Sequence, residues 1–365
     1  MTTPLLGHLD PQFLDIMTET QEMLRQVFRT QNALTFPVSA TGTAGMEACL
    51  VNLLEAGDKA VVCTMGYFGD RMAEIAGRTG AEVTVLKRPW GEVFDPQEVR
   101  EAVGRVRPKV VAAVHAETST GALQDIEPLG QIAREADALL VTDCVTSLGC
   151  IPVEPDAWGV DAAFSCSQKG LSCPPGLAPV TFGDRAVAAL KARRTKVQSW
   201  YLDLSTIMSY WGTGDRAYHH TAPISMVYAI REGLRLVLEE GLEARWARHR
   251  RNHEALKAGL LALGMEYTAA EGHRLPQLNA VRIPDGVDDA AGRKRLLAEF
   301  GIEVGAGLGA FKGKAWRIGI MGHNSRPECV IRVLSALEQV LMGFGVTVTP
   351  GAGVGAAEKV YATAA

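Results

Sequence analysis

Three short stretches of this chain gather residue types that can do chemistry. The first is Ser39-Ala40-Thr41-Gly42-Thr43-Ala44-Gly45-Met46-Glu47, which opens an apolar helical stretch running through Leu54. A small-residue loop entering a helix presents unpaired N–H groups and the positive end of the helix dipole to an anion. Thr41 and Thr43 add hydroxyl donors. The loop is neither a P-loop nor a G-x-G-x-x-G turn, and plain N-capping by Thr is the competing use of the same residues. The second stretch is Leu140-Val141-Thr142-Asp143-Cys144-Val145, an apolar strand that ends in a carboxylate. Buried there, Asp143 needs a cation or a hydrogen-bond donor; capping the next turn is the alternative. The third is Asp161-Ala162-Ala163-Phe164-Ser165-Cys166-Ser167-Gln168-Lys169-Gly170, in which a small-residue strand delivers Lys169. Most lysines are solvated surface charges. One held near a buried site can lose its proton and attack a carbonyl.

An anion cradle, a lysine and a strand-end aspartate are together what pyridoxal 5′-phosphate requires. Its phosphate needs the cradle, its aldehyde the lysine, and its pyridine nitrogen the carboxylate, which keeps that nitrogen protonated and the ring an electron sink. An aromatic residue against the ring would complete the set. Tyr67-Phe68 follows an apolar strand at the matching edge, although core packing would use the same pair.

The elements that must position these residues are legible between Lys59 and Phe182. Short apolar runs recur at Ala60–Cys63, Val83–Leu86, Val110–Val114, Leu139–Thr142, Ala162–Phe164 and Pro179–Phe182. Amphipathic stretches lie at Gly69–Arg78, Pro96–Val106, Pro128–Glu135 and Arg185–Ala192. Apolar strands separated by helices predict a mainly parallel sheet covered on both faces, with ligands outside the carboxyl ends of the strands. The second half differs. Ile224–Leu261 predicts two long helices broken near Glu240-Gly241, the second with a basic face of Arg245, Arg248, His249, Arg250 and Arg251 that reads as solvated. Shorter segments follow, at Asn279–Ile283 and Ala315–Ile320, flanked by helical stretches at Ala290–Phe300 and Pro327–Leu341. This predicts a large domain over residues 1–240 and a smaller C-terminal α+β domain over 241–365.

Composition narrows the function. Of 365 residues, 37 are Lys or Arg and 41 Asp or Glu, a net charge of −4, so neither nucleic acid nor an anionic membrane is an expected partner. No apolar run reaches the ~18 residues of a membrane helix, and no basic n-region precedes an apolar stretch as in a signal peptide. The seven cysteines form no C-x-x-C pair and no H-E-x-x-H occurs, so no metal site is expected. Free thiols suit a reducing, cytoplasmic setting.

With those residues in view, the chain resembles the class V aminotransferases of pyridoxal-phosphate fold type I, and within them the alanine/serine–glyoxylate group. The resemblance spans nearly the whole chain. It rests on Thr41-Gly42-Thr43, Glu117-Thr118-Ser119-Thr120-Gly121, Asp143-Cys144-Val145, Ser167-Gln168-Lys169, Tyr218-His219-His220-Thr221 and Trp316-Arg317-Ile318-Gly319, in the family's order. It implies a seven-stranded, mainly parallel sheet and a homodimer with shared sites. It implies that Lys169 forms the Schiff base with the cofactor and shuttles protons. Asp143 would pair with the pyridine nitrogen, Val145 would pack under the ring, and Phe68 would stack on the other face, where relatives often have Trp. Thr118 would reach the ring hydroxyl, and the backbone at Thr41, Gly42 and Thr43, with Gln168, would hold the phosphate. Tyr218 and Thr221 would reach the phosphate of the neighbouring subunit, with His219-His220 packing at that interface. Arg317 would grip the substrate carboxylate, which its planar fork suits. The implied reaction moves an amino group from serine or alanine to glyoxylate, a 2-oxo acid, giving glycine by a ping-pong route.

Three rivals remain. The ureidoglycine–glyoxylate branch shares fold, cofactor and acceptor, but its members tend to carry Asn at the position of Tyr218. A cysteine desulfurase on the same fold needs a mobile nucleophilic Cys, whereas Cys144 and Cys166 sit in the cofactor motifs and Cys329 in a helical pattern. A non-catalytic binding protein would have no use for an intact Lys169 and Asp143. The resemblance further implies that a Pro-Gly-Pro segment usually precedes the equivalent of Leu5-Leu6-Gly7-His8 and covers the neighbouring subunit's entrance. Either the true start lies upstream of Met1, or substrate affinity and dimer stability should be weak here while the cofactor residues, all from Thr41 onward, are untouched.

Overall fold

The structure, a computed structural model, describes residues 4–212 and 216–363. Its strands, in chain order, are β1 (Leu34–Val38), β2 (Lys59–Thr64), β3 (Glu82–Lys87), β4 (Val110–Val114), β5 (Ala116–Glu117), β6 (Ala122–Leu123), β7 (Leu139–Asp143), β8 (Ala162–Phe164), β9 (Ala178–Phe182), β10 (Leu278–Arg282), β11 (Gly305–Ala306) and β12 (Ala315–Gly319). Seven of them form the main sheet in the order β1-β9-β8-β7-β4-β2-β3. The neighbours from β8 to β3 pair in parallel, and β9 alone runs against both its neighbours. Residues of β4, β7, β8 and β9 are buried without alternation, as expected of strands covered on both faces. Six of the seven strands coincide with the apolar runs of the sequence. The seventh, β1, contains Pro37, which has no N–H to give a ladder; it is accommodated because β1 lies at the sheet edge.

The parallel strands all present their carboxyl ends on one side, and the order reverses there. From β2 the chain steps outward to β3 and then returns to β4 on the other side of β2. A crevice at such a switch point is where open α/β sheets bind ligands. The loops leaving β1, β2, β4, β7 and β8 carry Thr41-Gly42-Thr43, Tyr67-Phe68, Glu117-Thr118, Asp143 itself and Gln168-Lys169.

Beyond the helix Ile224–Glu240, a second hydrophobic cluster forms between β12 and the helices Leu242–Ala262 and Pro327–Gly343, with Trp316, Ile318, Leu256, Leu260, Leu334 and Leu337 at its centre. β10, β12 and β11 make a three-stranded antiparallel sheet against it. The basic face of Leu242–Ala262 departs from its sequence reading. Arg250 and Arg251 are exposed, but His249 and Arg245 are buried. Arg245 donates to Gly149 O at 2.7 Å and Gly170 O at 2.6 Å and pairs with Glu240. These charges hold the loop that follows Lys169. Among the described residues no helix is long and apolar enough to cross a membrane.

Candidate active site

The site begins where β1 ends. Thr41 is extended (φ −72°, ψ 167°) and the helix Gly42–Leu53 starts directly after it. The Thr41 hydroxyl makes no capping bond, so plain N-capping by its side chain is not the arrangement. The first-turn N–H groups at Gly42 and Thr43 have no intrahelical acceptor. Gly42 allows the turn to lie close to the Lys169 loop: a Cβ there would come within 2.9 Å of Cys166 Cβ.

Asp143 closes β7 and is 2% exposed. Its Oδ1 accepts the Val145 N–H at 2.8 Å. Burial pushes its carboxyl up to about 7. The Val145 N–H opposes that rise, the Glu117 charge adds to it, and Arg71 and Lys169 offset part of it. Among the described residues no cation is in direct contact with this carboxylate. A protonated ring nitrogen is the kind of group that would satisfy it, and this is the test by which the residues fit pyridoxal phosphate.

Phe68 is set by a cap that comes from elsewhere in the chain. The helix Tyr67–Arg78 begins after Gly66, which has no side chain to cap it. Ser119 Oγ accepts the Tyr67 N–H at 2.9 Å, and Glu117 Oε2 accepts those of Phe68 and Gly69, both at 3.2 Å. Glu117 Oε1 takes the Ser119 N–H and hydroxyl. Gly66 is needed because a Cβ there would lie 2.5 Å from Glu117 Cγ. Burial raises the Glu117 carboxyl, and the bonds from Ser119, Gly69 and Phe68 oppose the rise. Between Glu117 and Ser119, Thr118 is buried with its hydroxyl against that of Thr146.

Around one cavity of about 270 Å³ the structure gathers Thr41, Gly42, Thr43, Phe68, Thr118, Asp143, Val145, Gln168 and Lys169, with Met46, Arg71, Phe164 and Cys166 completing the lining. Nine residues named from the sequence therefore meet in one place. Arg71 was missed, although it lies three residues after Phe68 and so on the same helix face. Glu117 was noted within a motif, but its clamp on Phe68 spans residues no local pattern connects. Tyr218, Thr221 and Arg317 do not line this cavity. Tyr218 is 62% exposed, with its hydroxyl 3.3 Å from that of Thr221. His219 stacks on Trp200 with 4.6 Å between ring centroids, and His220 Nε2 bonds Ser39 Oγ at 2.7 Å, just before the Thr41 turn. Burial draws the His220 imidazole down to about 4. Arg317 lies on β12, half-buried, with Nε donating to Ala306 O at 2.8 Å. Burial lowers its guanidinium, and the Glu117 charge partly restores it.

The cysteines bear on a rival chemistry. All seven are free, and Cys144 and Cys166 are each 1% exposed. Burial raises both thiols, that of Cys166 to about 12, which suppresses the thiolate a sulfur-attacking enzyme uses. Among the described residues no cluster of three or more His, Cys, Asp and Glu is placed to hold a metal ion.

Comparison with known proteins agrees with this geometry. Residues 5–328 match the class V aminotransferase family. The chain is 41% identical over its whole length to the (S)-ureidoglycine–glyoxylate transaminase of Bacillus subtilis, covering 92% of that protein. It is 38% identical to the alanine–glyoxylate aminotransferase of Mus musculus, over 92% of this chain and 82% of the mouse protein. The crystal structure of an alanine–glyoxylate aminotransferase from Nostoc sp. superposes with a TM-score of 0.91 at 52% identity, covering 93% of this chain and 90% of that one. The fold and site thus define a pyridoxal-phosphate enzyme that transfers amino groups. The chain belongs to the class V aminotransferase family, and its cofactor is pyridoxal 5′-phosphate.

Proposed function

We propose that this aminotransferase moves the amino group of serine or alanine to glyoxylate, producing glycine, with both substrates using one site in turn. The observation that carries the reading is the placement of Lys169, Asp143 and the Thr41–Thr43 turn around one cavity at the strand ends. Glyoxylate as acceptor is supported by relatives of both kinds, whose names share it.

When bound, pyridoxal phosphate supplies an aldehyde that takes up an amino group and a ring that draws electrons from the carbon next to it. The chain supplies the rest. Lys169 Nζ would hold the aldehyde end, and its amine, when free, would move the proton at the substrate's α-carbon. The Asp143 carboxylate keeps a proton on the ring nitrogen. The N–H groups of Gly42 and Thr43, with Thr41 and Gln168, hold the phosphate. Phe68 and Val145 sandwich the ring, and Thr118 bonds its hydroxyl. Arg317 orients the substrate carboxylate with the donors its Ala306 bond leaves over. Tyr218 and Thr221 act across a homodimer interface; their exposure and their absence from the lining of their own chain's cavity support a role in the partner's site. Residues 1–240 form the cofactor-binding domain and 241–365 the smaller one. The free cysteines support a cytoplasmic location.

A second reading, ureidoglycine as donor, is favoured by the full-length similarity to the Bacillus subtilis transaminase. Tyr218 argues for serine or alanine. A donor panel with glyoxylate as acceptor tests the choice: kcat/KM for serine or alanine should exceed that for ureidoglycine, and the reverse order would move the assignment to the second reading.

A further inference from the structure

A phosphate monoester carries about −1.5 to −2 charges at pH 7. A helix N-terminus offers only about half a positive charge. Of the two cations lining the cavity, Lys169 is engaged at the aldehyde end, which leaves Arg71. Arg71 Nη1 donates to Thr43 Oγ1 at 3.1 Å, so its fork stands at the turn assigned to the phosphate. The side chain is held there by its own helix. Its guanidinium carbon lies 5.0 Å from the centroid of the Phe68 ring and 5.3 Å from that of Tyr67. Its hydrogen-bond contact among the described residues is this one hydroxyl; no carboxylate there forms an ion pair with it, although its charge is felt by the Asp143 carboxyl.

We propose that Arg71 is a cofactor-binding residue whose guanidinium supplies the cationic charge that the Thr41–Thr43 turn lacks for the phosphate of pyridoxal phosphate. The inference rests on the placement of that phosphate given above. Arg71 would do two things at once. It would pair with phosphate oxygens through donors that Thr43 does not use, and it would brace Phe68 by lying against its ring. Because Arg71 and Phe68 sit one turn apart on one helix, whatever holds that helix would set the stacking residue and the charge together.

The experiment compares two ligands on the full-length apoenzyme, pyridoxal phosphate and pyridoxal, which lacks the phosphate. Dissociation constants are measured by equilibrium dialysis for wild type, Arg71→Met and Arg71→Lys. Arg71→Met should bind pyridoxal phosphate about 10- to 100-fold more weakly, the range of a lost charge-assisted hydrogen bond, and pyridoxal nearly as wild type does. Arg71→Lys should recover part of the loss, since it keeps the charge without the fork. Equal weakening of both ligands, or a Lys variant no better than Met, would make Arg71 a packing residue and overturn the proposal. Unchanged affinity of Arg71→Met for pyridoxal phosphate would also overturn it, as it would if Arg71 instead served a carboxylate of a second chain. Lys169→Ala is run alongside. If it loses borohydride-reducible attachment while Arg71→Met binds normally, the site stands and only Arg71 falls. If Lys169→Ala keeps that attachment, the placement of the cofactor itself is wrong.

Discussion

Glu117 Oε2 accepts the backbone N–H of Phe68 at 3.2 Å, across 49 residues of sequence. The same carboxylate takes Gly69 N–H and Ser119 N–H, so one buried acid both caps the helix Tyr67–Arg78 and fixes the segment that presents Thr118. Two faces of the site, the aromatic one and the hydroxyl one, are thereby locked to each other.

Glu117→Ala leaves four donors without their acceptor: the N–H groups of Phe68, Gly69 and Ser119 and the Ser119 hydroxyl. It should lower stability by on the order of 2–4 kcal/mol, read as the urea midpoint at constant slope. Glu117→Gln keeps one oxygen and should cost less. A midpoint unchanged in Glu117→Ala would show that the clamp carries no energy.

Asp143 gives a pH signature to the apoenzyme. Its carboxyl is raised from an ordinary 3.8 to about 7 in the fold. A raised acid contributes full stability below its unfolded value and loses it as pH climbs through the folded value. The stability of wild type relative to Asp143→Asn should therefore fall between pH 4 and 7, by at most roughly 4 kcal/mol. Using the difference removes His115 and His249, whose lowered imidazoles act in the opposite sense over an overlapping range. Saturating pyridoxal phosphate should shrink the fall by giving Asp143 a cation. A pH-independent difference in the apoenzyme would mean that Asp143 is not held apart from water.

Arg317 has one bond to Ala306 and donors to spare. Arg317→Lys keeps the charge and loses the bidentate fork. Apparent affinity for both the amino donor and glyoxylate should drop, by on the order of 2–5 kcal/mol if the contact is fully desolvated. Steady-state KM values for the two substrates check it, and no change in either would remove Arg317 from the site.

Shared sites predict complementation. Mixing Lys169→Ala with Thr221→Ala chains should yield dimers in which one site has both its own Lys169 and its partner's Thr221 intact. Activity per chain should then exceed the mean of the two parents. A simple average would mean that Thr221 serves its own subunit.

What the sequence made legible followed from strand ends. Lys169 and Asp143 each close or follow a short apolar strand, and a parallel sheet places all such ends on one side, so local pattern and topology point the same way. The Thr41 turn was readable as two things, and only the unused Thr41 hydroxyl separates them. β1 escaped notice because Pro37 breaks the strand signal, and its edge position is a tertiary fact. Arg245 read as a solvated charge because charge pattern records residue type alone. Its acceptors, the carbonyls of Gly149 and Gly170, are backbone atoms brought near by folding. Glu117 stands in a motif, but its clamp on Phe68 is illegible for the same reason: its partners are mainly N–H groups, which every residue but proline carries.

Covalent capture reports on whether Lys169 holds pyridoxal phosphate in the cavity beside Asp143. The direct measurement is borohydride reduction of the holoenzyme followed by peptide mass mapping. One phosphopyridoxyl label per chain is expected, on Lys169, and none in Lys169→Ala even though that variant still binds the cofactor. A label on another lysine, or a label that survives in Lys169→Ala, would contradict it.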